Sequence, residues 1–308
     1  MRRILFVFLD GVGLGPASDA NPLFTTPLPA FATLGGEQAW TADGTAFATD
    51  RHLVRPIDAT LGMDGLPQSG TGQAALFTGV NCAAQVGRHF GPFPHSATHD
   101  VLDTASLFHQ VRALPLSHDA PAAFANAYPP RFFEHAERRG RWPVTTRCCR
   151  CAGVPIRTLD DVQAERALTA ELTGAAWADR LDLDIEVIAE DTAGARLAAL
   201  HRRHALTVFE YFLTDKAGHN RIDTSPASIL QALDRFFGAL LDALDPETES
   251  LVVTSDHGNI EDRTRTTHTR NPVPLVVYGW AAPFFAAARD LTDVTPAMIE
   301  ALRTASGR

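Results

Sequence analysis

The stretch TSDHGNIEDRTRTTHTRNPVPLVVYG, from Thr254 to Gly279, constrains this chain more than any other part of it. It sets an Asp-His pair, Asp256 and His257, directly after an apolar β-type run and returns a third candidate ligand, His268, eleven residues later. Two earlier strand ends supply matching parts: Asp10 after ILFVFL, and Asp215 with His219 in TDKAGH after LTVFEYFL. Three carboxylates and three imidazoles gathered at the ends of apolar strands repel or desolvate one another unless cations sit among them. Bound metal is the economical reading, and with Ser69 these residues define a two-metal phosphoryl-transfer hypothesis.

The strand ends belong to a regular pattern. Apolar runs bounded by turn residues occur at Ile4 to Leu9, His52 to Ile57, Ala122 to Tyr128, Leu206 to Leu213, Leu251 to Thr254 and Val273 to Tyr278. Runs that are polar only at their ends fit buried strands of a largely parallel sheet better than half-exposed hairpins. Helical periodicity falls between them, at Ala74 to Thr78, Thr104 to Leu114, Leu159 to Leu172, Thr192 to His201 and Ser228 to Leu244. The alternation predicts an α/β sandwich, in which ligands bind at the carboxyl ends of strands. The segment 129–189 has a different texture, rich in Arg, Ala and Thr. It reads as a mostly helical insertion or small cap on a core built from 1–128 and 190–308, or else as one more layer of that core.

Charge narrows the partners. A net charge of −9 with no basic run argues against a nucleic-acid surface and against electrostatic membrane docking, so an anionic substrate must be drawn in by a local site. MRRILFVFLDG imitates a secretion signal, but its apolar run stops at Asp10 without a small-residue cleavage site. No segment reaches the roughly 18 apolar residues of a membrane span. The expected location is the cytoplasm. There, Cys82, Cys148, Cys149 and Cys151 are expected as reduced structural thiols, since adjacent cysteines without a nearby histidine fit a zinc site poorly.

Two glycine-rich turns follow strands. DGVGLG after the first strand imitates a dinucleotide fingerprint, but its third glycine comes too early and no acidic residue follows at the ribose-binding distance. What marks the turn is Asp10, which alone would be read equally well as a turn residue. DATLGMDGLPQSGTGQAALFTG, Asp58 to Gly79, runs from a strand end through a loop into a helix start, and places Ser69 where backbone N–H groups and the helix dipole favour phosphate. A hydroxyl there attacks phosphorus once a metal lowers its pKa. The plainer reading makes Ser69 or Thr71 the N-cap. Asp215 and His219, four apart, share one face of a helical turn and can hold one ion.

These residues resemble the alkaline phosphatase superfamily, and within it the branch of cofactor-independent phosphoglycerate mutase and phosphopentomutase. The resemblance rests on FLDGVGLG with the following NP, the S-x-x-G-Q helix start ending in TG, TDKAGH, and SDHGN with HTRNPVPL. It implies an alkaline-phosphatase-like α/β sandwich with a mostly parallel central sheet. It implies two divalent ions, Mn²⁺ or Zn²⁺ with Mg²⁺ as an alternative. Asp10, Ser69, Asp256 and His257 resemble the ligands of one ion, Ser69 being also the nucleophile; Asp215, His219 and His268 resemble those of the second. The chain departs from the mutases in two ways. Gln73 stands where they usually carry histidine, and the interval from Ser69 to Asp215 is too short for their large second domain.

The expectation is therefore metal-dependent phosphoryl transfer, of the phosphohydrolase or phosphomutase type, on a small phosphorylated metabolite through a phosphoserine at Ser69. Arg88, His89, His95, Arg147 and Lys216, the last being the chain's only lysine, are the candidates for substrate phosphate contacts. The rival readings are a phosphodiesterase or nucleotide pyrophosphatase, and a non-catalytic metal-stabilised binding protein.

Overall fold

A computed structural model describes residues 2–116 and 120–307. Seven strands form one sheet in the order β2-β3-β7-β6-β1-β5-β4. They are β1 Arg3–Leu9, β2 Phe47–Ala48, β3 His52–Ile57, β4 Ala122–Phe124, β5 Leu206–Tyr211, β6 Glu249–Ser255 and β7 Val273–Gly279. Strands β6, β1, β5 and β4 are mutually parallel, whereas β7 runs antiparallel between β6 and β3. The centre is thus mostly parallel, as expected, and the side from β6 through β7 and β3 to β2 is antiparallel. The two-residue β2 is too short to leave a periodic signal.

Alternation along β1 shows how the sheet is covered. Ile4, Phe6 and Phe8 enter one apolar cluster and Leu5, Val7 and Leu9 enter another, all fully buried. A strand with period-two side chains and no exposed face requires helices on both sides of the sheet. The first face is covered by the helices Ser69–Thr78, Val144–Ala152 and Val294–Ser306. The second is covered mainly by Glu190–His201 and Pro226–Ala243. Phe77 fixes the Ser69 helix to the sheet, with its ring centroid 6.0 Å from that of Phe6 and 6.1 Å from that of Phe8.

Within 129–189, Val144, Cys148, Cys149, Ala152 and Val154 belong to the first core. Val162, Ala167 and Trp177 instead form a small cluster of their own with Ala127. Cys148 and Cys149 are buried free thiols, and burial pushes both above the ordinary thiol range.

Several helix limits differ from the periodicity. Thr104 to Leu114 is broken at the extended Ser106 into His99–Ala105 and Leu107–Arg112. The helix expected over Leu159 to Leu172 ends at Gln163, because Glu165 turns left-handed, at φ 57°. Apolar spacing does not register such a reversal.

Register aligns the functional edge. Leu9 pairs with Tyr211 on one side and Ser255 on the other, so three parallel strands leave the sheet level with one another. Ile57 pairs with Val273, which brings the end of β3 and the start of the antiparallel β7 to that same edge. Asp10, Asp215, Asp256, His257 and His268 all follow or precede these points by a few residues.

On the second face, His201 is fully buried and neither ring nitrogen has a hydrogen-bond partner among the described residues. Burial, reinforced by Arg3, pushes its pKa down to about 3. The unfolded chain takes up this proton near the ordinary value of about 6.5, so stability is lost as pH falls from there towards 3. The expected loss from this residue is about 2 kcal/mol by pH 5. Urea unfolding at pH 7.5 and pH 5 should show the difference shrinking by about that amount in His201→Leu; an unchanged difference would contradict a neutral buried imidazole.

Candidate metal and phosphoryl-transfer site

Asp215 sits on the short helix Leu213–Gly218 that follows β5, and His219 caps its end. Their contact is Asp215 Oδ1 to His219 Nε2 at 3.3 Å, and His268 Nε2 lies 3.5 Å from the same oxygen. The imidazoles are oriented from behind. His219 Nδ1 is 2.6 Å from the Thr266 carbonyl, and His268 Nδ1 is 2.6 Å from the Pro67 carbonyl. A carbonyl only accepts, so each Nδ1 is the protonated nitrogen and each neutral ring presents a bare Nε2 lone pair. Those two Nε2 atoms are 3.0 Å apart. Two lone pairs and a carboxylate converging on one point fit a cation, and backbone carbonyls behind the rings are the usual support of metal-binding histidines. Without a metal the cluster must take a proton instead. Burial works against the charged form of His268, but its hydrogen bond with Asp215 outweighs this and raises its pKa, while that same bond helps to hold Asp215 low against burial.

The second cluster is deeper. Ser69 Oγ is 3.0 Å from His257 Nε2, which also lies 3.4 Å from Asp10 Oδ1 and 3.5 Å from Asp256 Oδ2. Asp10, Ser69, Asp256 and His257 are all buried. Burial first, then the negative charge of Asp256 and Asp215, raises Asp10 well above the usual carboxylate range. Burial likewise lowers His257. Asp10 Oδ1 has no hydrogen-bond partner among the described residues. An orphaned buried carboxylate oxygen beside an uncharged imidazole is costly as it stands and is relieved by a divalent ion. The rings of His257 and His268 stack 3.7 Å apart, which joins the two clusters. Asp10, Asp215 and His257 also bring ligand atoms within 4.8 Å of one another.

The Ser69 helix explains its own glycines. A Cβ on Gly72 would meet the Asp256 carbonyl oxygen at 2.9 Å, and one on Gly70 would strike the carbonyls of Phe90 and Phe93. The glycines therefore admit the β6 end and the 88–95 segment to the first helical turn. Gln68 is the N-cap and Ser69 is the first helical residue. Thr71 holds the neighbouring segment: its N–H donates to the Phe90 carbonyl at 2.9 Å and its hydroxyl accepts from Phe90 N–H at 3.1 Å.

Several further residues organise the site: Gln73, marked in the sequence only as a departure from the mutases, and Asn259, Thr214 and Glu210, which the sequence does not single out. The Gln73 amide donates to Asp10 Oδ2 at 3.2 Å and Asp256 Oδ2 at 3.1 Å, holding two carboxylates that would otherwise repel. Its position one turn after Ser69 was the available signal. Asn259 donates to Asp215 Oδ1 at 2.9 Å, and Thr214 donates to the Asp10 carbonyl at 2.5 Å. Glu210, buried on β5, is raised to about 7 by burial and by Asp256.

The candidate phosphate contacts divide. Arg88, His89 and His95 ride on the segment tied to Thr71, with Arg88 stacked 5.7 Å over Phe90 and His95 edge-on to the same ring. Lys216 lies beside Asp215 with its amine 4.4 Å from the Phe212 ring, lowered by burial and, to a lesser extent, by Arg180. Arg147 is committed elsewhere, in a two-point pair with Asp103 at 2.6 and 2.5 Å.

Residues 173–306, which contain Asp215, His219, Asp256, His257 and His268, match the family described as the Metalloenzyme superfamily. The match covers less than half of the chain. Over 127 residues the chain is 35% identical to the 2,3-bisphosphoglycerate-independent phosphoglycerate mutase of Roseobacter denitrificans, a match covering 38% of this chain and 25% of that protein. The chain thus spans about a quarter of the length of the curated relatives it matches. Among solved structures, PH0037 protein from Pyrococcus horikoshii aligns with a TM-score of 0.55 at 14% identity, covering 98% of this chain and 97% of that one. Alkaline phosphatase from the Antarctic bacterium TAB5 aligns with a TM-score of 0.50 at 12% identity and the same coverages. At such identities these structures speak to fold alone. The family match and the curated relatives each cover only part of the chain, and the fold over the whole chain is alkaline-phosphatase-like. Among the described residues no helix is long and apolar enough to cross a membrane.

Proposed function

We propose that the chain is a two-metal phosphoryl-transfer enzyme acting on a small phosphorylated metabolite through a phosphoserine at Ser69. The observation that carries this reading is the pair of Nε2 lone pairs of His219 and His268, 3.0 Å apart and backed by carbonyls, beside Asp215. One ion falls to Asp215, His219 and His268 and the other to Asp10, Ser69, Asp256 and His257. When bound, Mn²⁺ or Zn²⁺ supplies Lewis-acid charge for phosphoryl oxygens and lowers the pKa of a bound hydroxyl.

The chain's own residues supply placement. Ser69 Oγ forms its bond to phosphorus as the bond from phosphorus to the departing alcohol oxygen breaks. Water then returns the hydroxyl and releases phosphate, or an oxygen of the substrate takes the phosphoryl group back and gives the isomer. Gln73 holds Asp10 and Asp256 in place during both steps. Arg88, His89, His95 and Lys216 are the candidates for phosphate contacts, the first three on the segment tied to Thr71 and the last next to Asp215 in the chain. Arg147 serves the substrate only by leaving Asp103. Within 129–189, the part around Trp177 that packs apart from the main cores is the only piece of that segment free to act as a small cover. Such a small cover excludes water poorly, which favours hydrolysis or transfer to a small acceptor over clean internal transfer.

The test uses metal-loaded protein, a chromogenic phosphomonoester and a phosphodiester, with ribose-1-phosphate and 3-phosphoglycerate followed by phosphorus NMR. Phosphate release from monoesters is expected. Isomerisation without released phosphate would make the chain a compact mutase, and turnover of the diester alone would make it a phosphodiesterase. No turnover of any of them would favour a metal-stabilised binding protein.

A further inference from the structure

Glu261 is almost fully buried, yet every hydrogen-bond partner of its carboxylate is neutral. Oε2 accepts the backbone N–H of Gly13 at 3.0 Å and of Asn259 at 2.7 Å. Oε1 accepts the Thr269 hydroxyl at 2.5 Å and the Asn271 amide at 3.0 Å. These donors come from three separate turns: the one after Asp10, the one after Asp256 and His257, and the one after His268. One carboxylate therefore ties together the three chain segments that carry four of the site's side chains. A fifth is reached through Asn259, whose own side chain holds Asp215 Oδ1.

The surrounding sequence is shaped to receive this group. A Cβ on Gly13 or Gly258 would overlap Glu261 Oε1, and one on Gly15 would meet its Cγ at 2.9 Å. The second and third glycines of DGVGLG and the glycine of SDHGN thus form the socket for Glu261. A Gly258–Thr269 antiparallel bridge closes the same region, with Thr269 N–H donating to the Gly258 carbonyl at 3.0 Å. Four donors on one buried carboxylate make a rigid joint, and groups behind the ligands of a metal set both their orientation and their affinity.

We propose that Glu261 is a positioning residue, which fixes the two ligand clusters relative to each other and so sets the affinity for divalent ions. This rests on the metal-site reading above. Glu261→Gln is the informative variant: its amide oxygen serves Gly13 and Asn259, while its NH₂ donates to Thr269 Oγ1 and to an inverted Asn271 amide, so packing survives while the charge is lost. Glu261→Ala removes all four ties.

The experiment is calorimetric titration of metal-free protein with Mn²⁺ or Zn²⁺, together with the absorption spectrum of the Co²⁺-loaded form and the metal-free melting temperature. Glu261→Gln is expected to melt near wild type, to bind ions on the order of 10-fold more weakly, and to show an altered Co²⁺ spectrum. Glu261→Ala is expected to bind at least as weakly as Glu261→Gln. Wild-type affinity and spectrum in Glu261→Gln would overturn the inference while leaving the metal site standing. Absence of ion binding by the wild-type protein would overturn both.

Discussion

Ser69→Ala lowers phosphomonoester turnover on the order of 10³-fold or more, leaves the fold intact and abolishes phosphorylation of the protein by substrate. The expectation follows from where the hydroxyls are. Ser69 Oγ faces His257 Nε2 at 3.0 Å, inside the cluster of Asp10 and Asp256. Thr71, the neighbouring hydroxyl, is occupied with Phe90 N–H and the Gln68 carbonyl. Alanine suits the first turn of this buried helix, so only the nucleophile and one ligand oxygen are removed. Thr71→Ala is expected to retain measurable turnover with a loosened 88–95 segment. Rates with both variants, and mass spectrometry of acid-quenched enzyme, check this; normal turnover by Ser69→Ala would remove Ser69 from the role of nucleophile.

Asp215→Asn has the second large effect, because Asp215 Oδ1 forms a triangle with the Nε2 atoms of His219 and His268, at 3.3 and 3.5 Å, and an Asp215 oxygen also lies within 4.8 Å of ligand atoms of Asp10 and His257. Replacing the carboxylate by an amide removes the negative charge of the outer cluster and sets an amide against the Asn259 side chain. Ion binding at that cluster should weaken by about 100-fold or more, beyond the loss expected for a supporting residue. The Asp10, Asp256 and His257 cluster should keep its ion. His268 should also lose the interaction that raises its pKa, so its titration moves down. Calorimetry and NMR titration of the histidine resonances provide the measurement; two unchanged binding events would place the ions elsewhere.

What could be read from the sequence was what the chain repeats or concentrates. Strands β1, β6 and β7 carry apolar runs because both faces of the sheet are covered there, and the ends of β1 and β6 are marked by the polar residues that follow. Asp10, Asp256 and His257 stand out for that reason, and the structure brings them to one edge through the level register of β5, β1 and β6. Long-range pairings were not readable. Gln73 reaches Asp10 and Asp256 from a helix whose inward face is apolar, and nothing near it in sequence names its partners. Glu261 lies in a polar run, IEDRTRTT, that reads as solvated loop, yet it is buried because three distant turns donate to it. The glycines of DGVGLG imitate a dinucleotide fingerprint, whereas the fold shows that the Glu261 carboxylate is what approaches them. Arg147, marked by charge alone, is balanced by Asp103, forty-four residues away.

Two divalent ions held by this constellation are the central expectation, and metal analysis of the protein reconstituted with Mn²⁺ or Zn²⁺ tests it most directly. Elemental analysis after removal of free ions should give about two per chain, as in two-metal sites, with a rise in melting temperature on loading. Protein that retains no ion, with a melting temperature unmoved by either metal, would contradict it.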